Sequence, residues 1–207
     1  MSDALARDRC VGVLLAGGAA RRFGGRPKGL ATIGGVRLAD RVLEALRAST
    51  STQVVVANDT AAHEWFPRER IIADEQLGLG PLAGIATALE AAEGQPVIVV
   101  AWDMPFVTAE LLQRLRAQAA VHSDVDAVVP VHGATSEPLC AWYAPSAAPV
   151  CRTLLAQGGR RARALADSLP RVEWLDSLAM AGLGDLEHLF TSVDTPERLA
   201  AVGGALP

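Results

Sequence analysis

The sequence predicts an α/β domain built on a mostly parallel central sheet, and three observations carry that reading. Short apolar runs of strand length alternate with longer amphipathic stretches through the first half of the chain, which is the signature of βαβ units. Residues 97–102 form an apolar run with almost no polar alternation, as a strand covered by helices on both faces requires. Glycines and isolated carboxylates follow such runs immediately, where open α/β sheets bind their ligands.

The elements follow in order. Residues 11–15 read as a buried strand ending in Gly17-Gly18. Apolar positions at helical spacing (Leu38, Val42, Leu46) predict a helix over 38–48. Residues 53–57 and 70–73 read as strands, and 81–92 as a helix of small residues with Pro81 at a tolerated first position. After the 97–102 strand, Thr108 is placed to cap a helix carrying Leu111, Leu112 and Leu115, with Glu110 in its first turn. Strands are expected at 127–130 and 139–143, helices at 149–156 and 160–168, and weaker strands at 171–175 and 189–193. Pro196 opens a last helix. The second half is less regular, which leaves room for one antiparallel strand.

Composition bounds the function. A chain of 207 residues is expected to form one domain, 1–207. At 50% hydrophobic and 20% charged residues it can bury a core and is not disordered. No apolar run approaches the roughly 18 residues of a membrane span, and the charged N-terminus is unlike a signal peptide. The net charge of −4 argues against a surface built for nucleic acid. Cys10, Cys140 and Cys151 show no CxxC spacing. They suggest neither a disulfide framework nor a zinc site, and a reducing, cytoplasmic setting is expected.

Four segments could carry chemistry. In Leu15-Ala16-Gly17-Gly18 and the residues after it, glycines would let backbone N–H groups approach an anion. Arg21, Arg22, Arg26 and Lys28 add four positive charges within eight residues. Lys28 is the single lysine among 19 basic residues. The spacing is neither a Walker A loop nor GxGxxG, so the segment reads as a local phosphate site. Asp103, directly after the 97–102 strand, could hold Mg²⁺ or simply cap a turn. Gly80-Pro81 and the glycine at 84 could receive a flat base or pack a helix tightly, and the sequence leaves both open. Asp194 could be a second metal ligand, but Thr195-Pro196 explains its segment equally well as a helix start. A further basic cluster, Arg160, Arg161 and Arg163, suits an anionic acceptor. No nucleophile–base constellation is recognisable, so covalent catalysis is not expected.

Together these segments resemble the molybdenum cofactor guanylyltransferases, the MobA-type nucleotidyltransferases. The matching features are LAGGAARRFGGRPK at 15–28, GPLAG at 80–84, Asp103-Met104-Pro105, Glu137-Pro138-Leu139 and SVDTPE at 192–197. The first specifies reaction class and GPLAG the guanylyl branch. Phe23 stands where the family has methionine, and Ser192 and Asp194 stand where it has asparagines.

The resemblance implies a Rossmann-like three-layer domain that transfers GMP from GTP to molybdopterin with release of pyrophosphate. The N-terminal half would bind nucleotide and the C-terminal half the acceptor. Leu15, Ala16, Gly17, Gly18, Lys28, Asn58, Asp74, Gly80, Pro81 and Asp103 would contact GTP. Asp103 would hold Mg²⁺, with Asp194 as a second ligand. Lys28, Asp103 and Arg22 would be catalytic, and Arg22, Arg160 and Arg161 would meet the anionic acceptor. Transient contacts with molybdopterin-supplying and cofactor-receiving proteins would follow, without nucleic acid or membrane. A cytidylyltransferase, another small-molecule nucleotidyltransferase, and an inactive nucleotide-binding partner protein remain as alternatives.

Overall fold

The computed structural model describes residues 9–17, 23, 27–74, 78–122 and 124–206. In chain order the elements begin with β1 (Val11–Leu15), a 3₁₀ turn (Lys28–Leu30), β2 (Thr32–Ile33), β3 (Val36–Arg37), α1 (Leu38–Ser49) and β4 (Thr52–Val56). Next come α2 (Ala62–Trp65), β5 (Arg70–Ile72), α3 (Pro81–Ala91), β6 (Val97–Ala101), α4 (Ala109–Val121), β7 (Ala127–His132), β8 (Thr135–Ser136) and β9 (Cys140–Tyr143). The chain continues through α5 (Ala147–Ala156), α6 (Ala162–Ser168), β10 (Val172–Leu175), α7 (Leu186–Leu189), α8 (Pro196–Ala201) and β11 (Gly204–Ala205).

The main sheet has the order β10-β7-β9-β6-β1-β4-β5, with β8 added to β7. β1 pairs in parallel with both β4 and β6, from Val11 opposite Thr52 and Val97 to Leu15 opposite Val56 and Ala101. β9 runs antiparallel between β6 and β7, the antiparallel strand that the second half left room for, and the short β8 also pairs antiparallel with β7. The carboxyl ends of β1, β4, β5, β6, β7 and β10 therefore share one edge.

Alternation along the strands makes the three layers. Leu14, Val55, Ile98 and Val100 face one side and pack with Leu43, Leu46, Leu111, Leu112 and Leu115 of α1 and α4. Val13, Leu15, Val54, Val56, Val97 and Val99 face the other, against Leu82, Ile85 and Leu89 of α3 and Leu165 of α6. Because both faces are covered, the strands read as unbroken apolar runs. The Thr108 hydroxyl accepts the Leu111 N–H, as expected.

Three differences from the sequence reading have local causes. Residues 189–193 are not a strand: 186–189 are helical and the chain beyond them is irregular. Asp185 caps that turn, accepting from the Glu187 and His188 N–H groups, and Leu186, Leu189 and Phe190 follow helical rather than alternating spacing. The helix expected at 160–168 begins at Ala162, with Arg161 extended. The β2–β3 hairpin went unrecognised although Gly34-Gly35 signals it; both have positive φ (59° and 78°), as the two central residues of a type I′ turn require. β11 extends this small sheet from the C-terminal end.

Candidate active site

The carboxyl edge of the sheet gathers most of the expected residues. Ala16 and Gly17 leave β1 beside β4 and β6: the Ala16 N–H donates to Val56 O (2.9 Å), and Leu15 O accepts from the Trp102 N–H (3.2 Å). Among the described residues, a Cβ at Gly17 would meet nothing within 4 Å. Asn58 and Asp74 follow β4 and β5 and clasp each other. The Asn58 amide donates to Asp74 Oδ2 at 2.9 Å, and the Asp74 N–H donates to Asn58 Oδ1 at 2.7 Å. Gly18 and Arg22 lie outside the described residues.

Lys28 and Asp103, far apart in sequence, form an ion pair through Asp103 Oδ2. Their side chains are 19% and 10% exposed. The same oxygen accepts from the Ser192 hydroxyl (3.1 Å), and the Val193 N–H donates to Asp103 O (2.7 Å). This ties the 192–194 segment to the end of β6 and brings Asp194 into the neighbourhood, where it pairs with Arg198 at 3.5 Å.

Two packing features adjoin this pair: Gly29 is not among the candidates read from sequence, and Phe23 enters there only as a departure from the family's methionine. Gly29 lies directly against Trp102, which is buried and tilted against Trp65 with ring centroids 6.4 Å apart. The residue after Lys28 is thus packed on the residue before Asp103. Phe23 is buried with Ala31, Leu38, Val193 and Leu199, which places this one residue against the same C-terminal region. The sequence signal was there: one aromatic residue inside a stretch of glycine and arginine.

Gly80 has φ 78°, and a Cβ there would lie 2.9 Å from Arg160 O. That carbonyl accepts the Leu82 N–H (3.2 Å) in the first turn of α3. A Cβ at Gly84 would lie 3.1 Å from Leu15 Cδ2. The glycines around Pro81 therefore serve close packing of α3, and they fix Arg160 and Arg161 beside the Gly80 turn.

Farther along the edge, a cavity of about 420 Å³ is lined by His132, Thr135, Ser177, Asp185 and Glu187 among others. His132 stacks on Phe190 (centroids 4.9 Å apart, 12° between planes) and meets Glu137 Oε1 at 3.0 Å. Burial pushes the Glu137 carboxyl above its ordinary value, and His132 only partly offsets this. Residues 190–192 thus link this cavity to Asp103. The Glu137 N–H also donates to Pro130 O (2.9 Å).

A doubly covered, mostly parallel sheet whose first strand is followed by a glycine-rich sequence, with a lysine–aspartate pair at its carboxyl edge, is the arrangement of a nucleotidyltransferase of the α/β class. The MobA-like NTP transferase domain model matches residues 12–172, and the chain belongs to that family. A protein described as a probable molybdenum cofactor guanylyltransferase from Chloroflexus aggregans is 36% identical over 172 residues, covering 80% of this chain and 78% of its own. A molybdenum cofactor guanylyltransferase from Cupriavidus metallidurans is 32% identical over 193 residues, 89% of this chain and 95% of its own. Among solved structures, molybdopterin-guanine dinucleotide biosynthesis protein A from Archaeoglobus fulgidus superposes with a TM-score of 0.78 at 29% identity, covering 93% of this chain and 96% of its own. A cytidylyltransferase from Thermus thermophilus shares the fold at 18% identity and a TM-score of 0.65.

Proposed function

We propose that this chain transfers GMP from GTP to molybdopterin, releasing pyrophosphate. The observation that carries the reading is the Lys28–Asp103 pair at the carboxyl edge beside Gly17, in a chain about one third identical to molybdenum cofactor guanylyltransferases over most of its length.

The reaction asks little covalent chemistry of the protein. An oxygen of the acceptor's phosphate forms a bond to the α-phosphorus of GTP, and the bond from that phosphorus to the bridging oxygen breaks. Pyrophosphate leaves with the electron pair. The nucleophile is already anionic, so no general base is needed; alignment and charge neutralisation do the work. The backbone of Leu15, Ala16, Gly17 and Gly18 cradles the phosphates, and Lys28 neutralises charge on the departing pyrophosphate. The Asn58–Asp74 clasp and the Gly80-Pro81 turn receive the nucleoside. Arg22, Arg160 and Arg161 meet the anionic groups of the substrates, and the docking of Arg160 on Gly80 ties that pair to the nucleotide side. The acceptor extends from Asp103 along 190–192 toward the His132 cavity, so the C-terminal half serves the acceptor.

A divalent cation, Mg²⁺ in this reading, fits Asp103, whose carboxylate is mostly buried and already holds a cation. Asp194 is the second candidate ligand. Among the described residues no group of three or more ligating side chains could hold a metal, which suits an ion that takes one or two carboxylates and completes its shell from phosphate and water. Bound there, it would supply positive charge to phosphate oxygens. No helix among the described residues is long and apolar enough to cross a membrane. The proposed reaction belongs to a cytoplasmic enzyme that exchanges molybdopterin and product with other proteins.

The test offers molybdopterin and Mg²⁺ with GTP or CTP separately and measures pyrophosphate and dinucleotide. GTP-dependent product is expected, and Asp103→Asn should abolish it without unfolding the protein. Preference for CTP, or no turnover with either, would overturn the proposal.

A further inference from the structure

Asp103 Oδ2 is occupied on the protein's own terms. It accepts from the Lys28 ammonium and from the Ser192 hydroxyl, in surroundings that leave the carboxylate 10% and the lysine 19% exposed. A carboxylate this far from water needs a positive partner, and Lys28 supplies one. The partner is also held in place: Gly29 packs on the Trp102 ring, and the Leu30 and Ala31 N–H groups close the turn on Pro27 and Lys28 (3.1 Å each).

A metal ion arriving alone would have to displace that ammonium, or bind the other oxygen of the same carboxylate and sit beside it. In the first case the ammonium loses its carboxylate partner in a site that leaves the lysine only 19% exposed; in the second, two cations share one buried carboxylate. The described residues offer no cluster of three or more ligating side chains to compensate. A nucleoside triphosphate changes the balance, because its phosphate oxygens can take both the metal and the ammonium. Lys28 can then leave Asp103 for the phosphates while the metal replaces it.

We propose that Lys28 is a built-in counter-cation that closes Asp103 to metal until nucleotide arrives, so that metal and nucleoside triphosphate bind as one coupled unit. The inference rests on the nucleotidyltransferase reading of the site and adds an order of binding to it. Compactness matters in this role, since an ammonium is a point charge that can move between two anionic partners, whereas a guanidinium fork holds a carboxylate through two bonds.

Mn²⁺ is the probe, titrated by electron paramagnetic resonance against the wild-type protein with and without a non-hydrolysable GTP analogue. Beyond the analogue's own chelation of Mn²⁺, measured without protein, the analogue should tighten protein-bound Mn²⁺ at least about tenfold, within the range of ordinary coupling energies. In Lys28→Gln without nucleotide, Mn²⁺ should bind at least about tenfold more tightly than in wild type, and the gain from the analogue should shrink. Lys28→Arg keeps a cation on Asp103 and should exclude Mn²⁺ as wild type does. Equal protein-dependent Mn²⁺ affinity in wild type with and without analogue, once the analogue's own chelation is subtracted, would overturn the proposal, and this readout does not depend on any variant folding. So would a folded Lys28→Gln that binds Mn²⁺ no better than wild type. The guanylyl-transfer assay is separate: turnover without coupling would defeat the inference alone, and coupling to the GTP analogue without transfer to molybdopterin would defeat the assigned reaction alone.

Discussion

Replacing Gly29 by alanine would push a methyl group into the face of Trp102. An ideal Cβ at this position lies 2.1 Å from Cε3, 2.5 Å from Cδ2 and 2.9 Å from Cζ3 of the indole. Carbon atoms rest at about 3.5–4.0 Å, so the Lys28–Leu30 turn and the ring must part by roughly 1.5 Å. The ring cannot retreat freely, being 4% exposed and backed by Trp65. Overpacking of this kind costs about 1–3 kcal/mol. Because Gly29 follows Lys28 and Trp102 precedes Asp103, the displacement is passed to the ion pair. A misplacement of about 1 Å at such a site costs on the order of 100-fold in rate. The expected variant is folded, loses about 1–3 kcal/mol in a urea melt followed by tryptophan fluorescence, and releases pyrophosphate about 100 times more slowly at saturating substrate. Gly84→Ala is the comparison, since its new Cβ would lie 3.1 Å from Leu15 Cδ2, the end of a flexible side chain. It should cost less than about 1 kcal/mol. An unchanged urea midpoint and wild-type turnover in Gly29→Ala would refute the argument that this packing sets the pair.

Other consequences follow from buried polar groups. Asp126 is 3% exposed and accepts from the Ser146 hydroxyl (2.6 Å), the Arg171 N–H (3.2 Å) and the Arg171 guanidinium (3.1 Å). Asp126→Ala strands the Ser146 hydroxyl and the Arg171 N–H and should cost about 1–3 kcal/mol in a denaturant melt. Burial alone would raise the Asp126 carboxyl, but hydrogen bonds from Arg171 and Ser146 outweigh it and hold the group below its usual value. A carboxyl depressed in the native state contributes its stability above the unfolded value of about 3.9, and that contribution is lost as pH falls through the native value. Melting curves from pH 6 downward should therefore show wild type converging on Asp126→Ala only in acid, below about pH 4; a constant gap across that window would contradict the role given to Asp126. The three cysteines are buried, and burial raises the Cys10 and Cys151 thiols to about 12 and Cys140 further still. A thiol reagent at pH 8 should label the native protein only slowly and all three residues after unfolding; rapid labelling in the native state would contradict their burial.

The main elements were legible because their signals are local. The apolar runs at β1, β4 and β6, the Thr108 cap and Pro196 each declare themselves within a few residues, and the unbroken apolarity of β6 implied cover on both faces. The hairpin at Gly34-Gly35 was equally local and was overlooked. The stretch 189–193 misled for a different reason: Leu189, Phe190 and Val193 are all buried, so apolarity alone could not distinguish a strand from an irregular chain packed across the sheet edge. Asp126 carries no local signal, because its partners Ser146 and Arg171 lie 20 and 45 residues away.

The sequence by itself determined the fold class, the strand ends where chemistry could reside, and the identity of the residues that meet there, because each rests on short-range patterning. Only the tertiary structure decided how those residues are used. It set Lys28 on Asp103, clasped Asn58 to Asp74, brought Ser192 onto the same carboxylate, and laid Gly80 against Arg160 and Gly84 against Leu15. These relations join positions distant along the chain. They come into being only when parallel pairing of β1, β4, β5 and β6 carries the strand ends to a common edge, where burial makes each pairing of charge count.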